Sequence, residues 1–225
     1  MDSDKKVEEE IKQELLWDER LDNLKIDVSV SNGVAILEGT VHNYTEKLIA
    51  ESDAKVLGAV TSVINNLDVE LPSHQKIPNE IEIKRNIKTI FDMNSKIDSS
   101  KIDIDVHEGE VTLKGTVDSY WEKDKVEEFT SEVAGVIAVH NRISIVPTKN
   151  TSDEKIANDI ISSISRSPRT DPDKVNIRVK NGTVTLSGTV SSYSAYISAL
   201  NAVKFTKGVK EIKNLLKWVL RYDTT

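Results

Sequence analysis

The 225-residue sequence predicts an α+β protein of three tandem αββαβ modules, each with two helices on one face of a three-stranded mixed sheet. Three observations carry that prediction. A strand–turn–strand block closing on Gly-Thr-Val and a tyrosine occurs three times without a gap. It reads VSVSNGVAILEGTVHNY from Val28, IDVHEGEVTLKGTVDSY from Ile104 and IRVKNGTVTLSGTVSSY from Ile177. Its glycines, Gly39, Gly115 and Gly188, stand 76 and 73 residues apart, a spacing that marks a repeated module. The hydrophobic period also switches from helical to alternating at the same point in each copy. The module boundaries that follow are 1–72, 78–147 and 151–225.

Each copy opens on a helix. Val7, Ile11 and Leu15 recur at i, i+4 and i+8, as do Ile83, Ile87 and Phe91, and then Ile156, Ile160 and Ile164. That spacing draws one apolar stripe on an otherwise charged helix. Asp4, Asn79 and Ser152 stand where N-caps are expected.

The first strand of each copy alternates: Ile26, Val28 and Val30; Ile102, Ile104 and Val106; Val175, Ile177 and Val179. Asn32-Gly33 and Asn181-Gly182 then predict a two-residue hairpin turn with positive φ, and Glu108-Gly109 a weaker version. The return strand places Ala35, Leu37, Gly39 and Val41, with their counterparts, on one buried face. A glycine inside a strand needs a reason, and the one expected here is close approach of a helix.

Asn43, Ser119 and Ser192 cap a second helix beginning at Tyr44, Tyr120 and Tyr193, with Glu46 and Glu122 completing a capping box. It is expected to end near Ala59-Val60, Gly135-Val136 and Gly208-Val209, glycine at two of these fitting a C-cap. The last strand carries Asn65, Asn141 and Asn214 at an inward position, and Pro72 and Pro147 stop the first two copies of it. The two-residue turn makes the first strand pair antiparallel, and the helical crossover makes the second pair parallel. Both helices must then cover one sheet face to hide their stripes.

Composition bounds function mainly by exclusion. The chain has no cysteine, which removes disulfides, thiol catalysis and thiolate metal sites. The charged N-terminus does not read as a signal peptide and no stretch is apolar enough to span a bilayer. Taken as it stands the sequence reads as cytoplasmic, or as periplasmic if its start is a processed form. Net charge runs along the chain, from −8 over residues 1–77 to −4 over 78–151 and +5 over 152–225. The gradient suggests head-to-tail docking between modules or an anionic partner for the third.

The paired strands around N-G, the V-x-L-x-G-x-V strand with its tyrosine, and a closing motif together resemble the BON domain (bacterial osmotically inducible protein Y and nodulation). The closing motif stands as GVIAVHN from Gly135 and GVKEIKN from Gly208, and as AVTSVIN from Ala59 in the first copy. The resemblance spans nearly the whole chain. It implies a non-enzymatic bacterial module of osmotic-stress or envelope proteins, associated with phospholipid surfaces. One related cytoplasmic type is associated with potassium.

The repeat lets each candidate site be tested for recurrence. The four histidines do not recur: His42 aligns with Asp118 and Ser191, His107 with Ser31 and Lys180, His140 with Ile64 and Lys213, and His74 lies in a linker. No pair has metal-ligand spacing, and neither a catalytic triad nor a phosphate-binding loop is visible. No enzyme activity, cofactor or metal is expected. Asn65, Asn141 and Asn214, like Gly39, Gly115 and Gly188, are read as structural repeat positions, the asparagines tying the last strand to a neighbouring loop or helix end.

The second helix of the third copy departs from the pattern. Tyr196, Leu200 and Val203 form an extra apolar stripe where the other copies carry Glu51 and Glu127 at the Leu200 position. Lys204, Lys207 and Lys210 edge it, with Lys213 and Lys217 beyond. An apolar stripe edged by lysines suits an anionic phospholipid surface or another anionic partner; docking onto a neighbouring module is the other reading of the same stripe. Nucleic acid is not expected, because the positive charge is confined to one module. A potassium-responsive protein with a site of backbone carbonyls, and a structural interaction module, are the alternatives from other functional classes.

Overall fold

The structure is a computed structural model that describes residues 2–22, 24–56, 60, 62–71, 77–148 and 150–218. The expectations resting on Ala59, Pro72 and His74 lie outside the described residues. The elements run α1 (Asp2–Trp17), β1 (Lys25–Ser31), β2 (Val34–Val41), α2 (Tyr44–Val56) and β3 (Ser62–Val69). They continue with α3 (Glu80–Met93), β4 (Ile102–His107), β5 (Glu110–Val117), α4 (Tyr120–Ser131) and β6 (Ala138–Ile145). The third set is α5 (Asp153–Ser165), β7 (Val175–Lys180), β8 (Thr183–Val190), α6 (Tyr193–Lys204) and β9 (Glu211–Trp218). The αββαβ order therefore occurs three times. A short 3-10 turn precedes the first strand of every set, at Glu19–Leu21, Ser99–Lys101 and Pro172–Lys174. The chain divides into two compact units, residues 1–87 with 105–111 and 130–140, and residues 88–104 with 112–129 and 141–225.

The sheets have the orders β1-β2-β3, β4-β5-β6 and β7-β8-β9. The Gly-Thr-Val strand is thus always central. β1 pairs antiparallel with β2, and β2 parallel with β3; β7, β8 and β9 repeat this pattern. The helical stripes are buried as their spacing predicts: Val7, Ile11 and Leu15, then Ile83, Ile87 and Phe91, then Ile156, Ile160 and Ile164. Each side chain removed from water in this way stabilises by about 1.5–3 kcal/mol. In the first unit Val7, Ile11 and Leu15 join Ala35, Leu37, Ala50, Ala54 and Leu67 in one core. In the second unit Ile156, Ile160 and Ile164 join Val184, Leu186, Ala199, Val203 and Leu216.

The hairpin turns adopt the left-handed backbone that Asn-Gly calls for. Asn32, Glu108 and Asn181 have φ of 52°, 50° and 53°, and the glycines after them 75°, 84° and 79°. Glu108 therefore accepts the same conformation as the two asparagines. A carboxylate on each first helix holds this turn. Asp4 accepts from the Asn32 N–H at 3.1 Å, Glu80 from the Glu108 N–H at 2.9 Å, and Asp153 from the N–H groups of Asn181 and Gly182 at 2.7 and 2.9 Å. Asp4 is accordingly a turn-binding residue inside α1 and not its N-cap. Asn79 and Ser152 do cap, accepting from the N–H groups of Glu82 and Lys155 at 3.0 and 3.3 Å. Asn43, Ser119 and Ser192 cap the second helices in the same way.

Two further expectations are corrected. The recurring strand glycine makes room for a neighbouring strand and not for a helix. Gly39, Gly115 and Gly188 have φ of +122°, +120° and +127°, and a Cβ there would lie 2.2, 2.0 and 2.1 Å from the carbonyl oxygens of Lys25, Lys101 and Lys174. The chain entering the first strand carries those carbonyls, so the central strand must bend away from it at that point. Gly135 and Gly208 are likewise not C-caps. The helices close earlier, at Ser131 and Lys204, and successive i→i+3 bonds (Val133 to Thr130, Val136 to Val133; Thr206 to Val203, Val209 to Thr206) lead into the last strand. Glycine is favoured there because φ is +91° at Gly135 and +93° at Gly208, and a Cβ on Gly208 would in addition meet the Thr151 Cβ at 2.8 Å.

Candidate functional site

The inward asparagines are tied to the helix above them. Asn65 donates to the Lys47 carbonyl at 2.8 Å and to Glu51 Oε2 at 3.3 Å; Asn141 donates to the Lys123 carbonyl and Glu127 Oε2, both at 3.0 Å. Their Oδ1 atoms accept from the N–H two residues on, in Leu67 and Ile143. The ammonium groups of Lys47 and Lys123 close the cluster on the carbonyls of Leu67 and Ile143 at 2.6 and 2.7 Å. In the third copy Tyr196 stands at the lysine position and Leu200 at the glutamate position. Asn214 donates instead to the Tyr196 hydroxyl at 2.7 Å. Each asparagine is thus a satisfied structural donor.

Two of the three residues of the third-copy stripe belong to the core beneath α6. Val203 is fully buried, and Tyr196 is half-buried against the same core. The Tyr196 ring lies 4.5 Å from that of Trp218 and 5.8 Å from that of Tyr193, and burial pushes its hydroxyl above the usual tyrosine range. Leu200 is partly exposed. The Val203 position is a core position in every copy, since Ala54 and Thr130 stand there in the other two and are fully buried. Lys204 is not a free cation either, since its Nζ lies 2.7 and 3.0 Å from the two oxygens of Asp124 on α4. Lys207 and Lys210 are exposed.

The outward side of α6 forms a groove with the C-terminal end of α5. It has a volume of about 580 Å³, and Arg166, Arg169, Tyr193, Ile197, Asn201 and Phe205 are among its lining residues. Its floor is fixed by a 2.8 Å bond between the hydroxyls of Ser167 and Ser198, and by the buried Thr170 hydroxyl donating to the Ala195 carbonyl at 3.2 Å. A smaller depression of about 290 Å³ shares Arg166 and Phe205 and extends to Lys207. Arg166, Arg169 and Lys207 are exposed, and Phe205 is 62% exposed. Among the described residues none of the three cations is in an ion pair. Arg166 and Phe205 were not among the residues picked out from the sequence, although recurrence could have found them. The positions of Arg166 hold Trp17 and Met93 in the other copies, and those of Phe205 hold Val56 and Glu132.

Elsewhere the titratable groups are accounted for locally. His42, His107 and His140 are surface residues, each within 3.2–3.6 Å of a single glutamate. Among the described residues no group of three or more His, Cys, Asp or Glu side chains could hold a metal ion, and no helix is long and apolar enough to cross a membrane. One carboxyl stands out. Asp53 of α2 is pushed up to about 6, chiefly by burial and then by the adjacent Asp18, while Arg20 holds Asp18 down at about 2.

The model of the BON domain matches the chain three times, at residues 3–70, 79–147 and 152–219. Among full-length proteins the chain is similar to the osmotically-inducible protein Y of Escherichia coli (strain K12), with 24% identity over 196 residues, 84% of this chain and 92% of that protein. Among solved structures it aligns with CdsD, a structural protein of the Type III secretion system of Chlamydia trachomatis. That alignment has 14% identity, covers 99% of this chain and 95% of the other, and has a TM-score of 0.28. The C-terminal domain of CdsD aligns at 15% identity with a TM-score of 0.26.

Proposed function

The chain belongs to the BON domain family, and from that premise we propose that it is a non-enzymatic, osmotic-stress-related protein that binds an anionic phospholipid surface through the third αββαβ set. The supporting observation is the α5–α6 groove, where the exposed Phe205 is bordered by Arg166, Arg169 and Lys207, none of them in an ion pair among the described residues. An aromatic ring suits the boundary between headgroups and acyl chains, and each basic side chain held at that surface contributes about 1 kcal/mol. Guanidinium groups also bond phosphate oxygens in pairs, which favours lipid phosphate over a diffuse negative surface. The binding set is therefore centred on Arg166, Arg169, Phe205 and Lys207. Val203 and Tyr196 act as the buried support of α6, and Lys204 as its tie to Asp124.

Co-sedimentation with vesicles of phosphatidylglycerol and of phosphatidylcholine tests this reading. The full chain is expected to pellet with the anionic vesicles only, and high salt is expected to release it. Arg166→Glu with Arg169→Glu and Phe205→Ala should remove pelleting, whereas Lys210→Glu, away from the groove, should leave it. Equal binding to phosphatidylcholine, or pelleting unchanged in the triple variant, sinks the proposal.

A further inference from the structure

In each set the helices cover one face of the sheet, and the strands present their alternate residues on the other. On β7-β8-β9 the register aligns Arg178, Thr185 and Lys213 in one row and Asn176, Ser187 and Leu215 in the next. Lys217 lies beside Thr189, and Lys180 beside Thr183. Arg178, Lys180, Lys213 and Lys217 are all exposed, and the single carboxylate of this face, Glu211, accepts from the Thr183 hydroxyl at 3.1 Å. The open face of β1-β2-β3 has the opposite sign. There Asp27, Glu38 and Asn66 form one row, Ser29, Ile36 and Ile64 the next, and Asp68 lies beside Thr40. Asp27, Glu38 and Asp68 are exposed, with Lys25 as the one cation. Each face also exposes an aliphatic side chain, Ile64 at 46% and Leu215 at 63%.

We propose that the chain associates with further copies of itself, the acidic open sheet face of β1-β2-β3 in one molecule meeting the basic open sheet face of β7-β8-β9 in a second copy. The match of sign selects the partner, and Ile64 and Leu215 supply apolar contact. Such a contact is heterologous, so the pair keeps one basic face free on one molecule and one acidic face free on the other, and association continues by addition. Three strands about 4.8 Å apart and some seven residues long give a face of roughly 300–400 Å². That is below the approximately 800 Å² per partner of a standard stable interface. The association is therefore weak, concentration-dependent and sensitive to salt. It uses the side of the third set opposite to α5 and α6, and does not depend on lipid binding.

Sedimentation velocity of the full chain tests it. At about 20 mM salt, where the Debye length exceeds 20 Å, mass is expected to rise as protein approaches about 1 mM, the range of weak contacts. At high salt the chain should be monomeric. Arg178→Glu with Lys213→Glu leaves two acidic faces, and Asp27→Lys with Glu38→Lys leaves two basic ones. Each variant should be monomeric alone, and an equimolar mixture should associate again. The exchanged residues are all exposed, and unchanged thermal melts confirm that both variants fold. A wild-type chain that stays monomeric at low salt, variants that associate as the wild type does, or a mixture that stays monomeric would overturn the proposal.

Discussion

Asn214 donates its side-chain amide to the Tyr196 hydroxyl at 2.7 Å, where Asn65 and Asn141 donate to a helix carbonyl and a glutamate. One structural position has kept its asparagine while its acceptor changed. Tyr196→Phe removes the one side-chain acceptor of that amide among the described residues and is expected to destabilise by about 1 kcal/mol, the lower end of the penalty for an unpaired donor because Asn214 is partly buried. Asn214→Leu in the same background should recover part of the loss, because the orphaned donor goes with it. Urea denaturation of the two single variants and the double variant measures both effects. Additive losses would show that the pair is not coupled.

Asp53 occupies a position that holds Phe129 and Ala202 in the other copies, and its Oδ2 is buried without a hydrogen-bond partner among the described residues. Its folded pKa of about 6 lies above the ordinary 3.8, so the fold disfavours its ionised form. Stability should therefore fall as pH rises from about 4 to 6. Asp18, held near 2, has the opposite sign: its contribution is present above 3.8 and is lost as pH drops toward 2. Asp53→Asn is expected to raise the melting temperature at pH 7.5 and to flatten its decline between pH 4 and 6. Thermal melts of the wild type and D53N across that range check it, and parallel curves for the two would refute the assignment.

The sequence stated the repeat, the hairpin turns, the caps and the strand directions because each rests on a local rule. Alternation reports one face, Asn-Gly reports φ, and a two-residue turn reports antiparallel pairing. What was not legible depended on distance between elements. The carbonyl of Lys174 lies against Gly188 only once β7 and β8 are in register, so a helix was as good a reading of that glycine from sequence. The stripe of Tyr196, Leu200 and Val203 looked external because helical spacing gives direction but not depth. Val203 stands where Ala54 and Thr130 stand, and all three are fully buried, so this is a core position of every copy. The same spacing hid Arg166 and Phe205, which are adjacent only because α5 and α6 lie side by side.

The strand glycine gives a prediction that can be made three times. A Cβ at Gly39, Gly115 or Gly188 would lie 2.0–2.2 Å from a backbone carbonyl oxygen, and the positive φ is strained for alanine in addition. Strain of that backbone type alone costs on the order of 1–3 kcal/mol, and the clash adds to it because neither partner is a flexible side chain. Gly188→Ala should therefore lose at least about 2 kcal/mol in urea denaturation. Gly33→Ala, at a turn with φ of 75°, should cost only the smaller left-handed penalty of about 1 kcal/mol. Equal losses at the two positions would remove the role given to the Lys174 carbonyl.

The carboxylate that joins each first helix to its hairpin turn sets an order among the three copies. Among the described residues Asp153 accepts two backbone N–H groups of its turn, from Asn181 and Gly182, whereas Asp4 accepts that of Asn32 and Glu80 that of Glu108. Hydrogen bonds to a charged acceptor contribute about 1.5–3 kcal/mol each at most, and less at an exposed turn. Asp153→Ala should accordingly destabilise more than Asp4→Ala, by up to about twofold. The more direct reading is local. Amide exchange at Asn181 and Gly182 should accelerate in D153A, and exchange at Asn32 should accelerate in D4A, with strand amides outside each turn unchanged. Glu154→Ala, one residue along on the same helix, should leave the Asn181 and Gly182 amides as they are. Faster exchange in that variant would mean that the turn senses general negative charge on α5 and not the two bonds to Asp153.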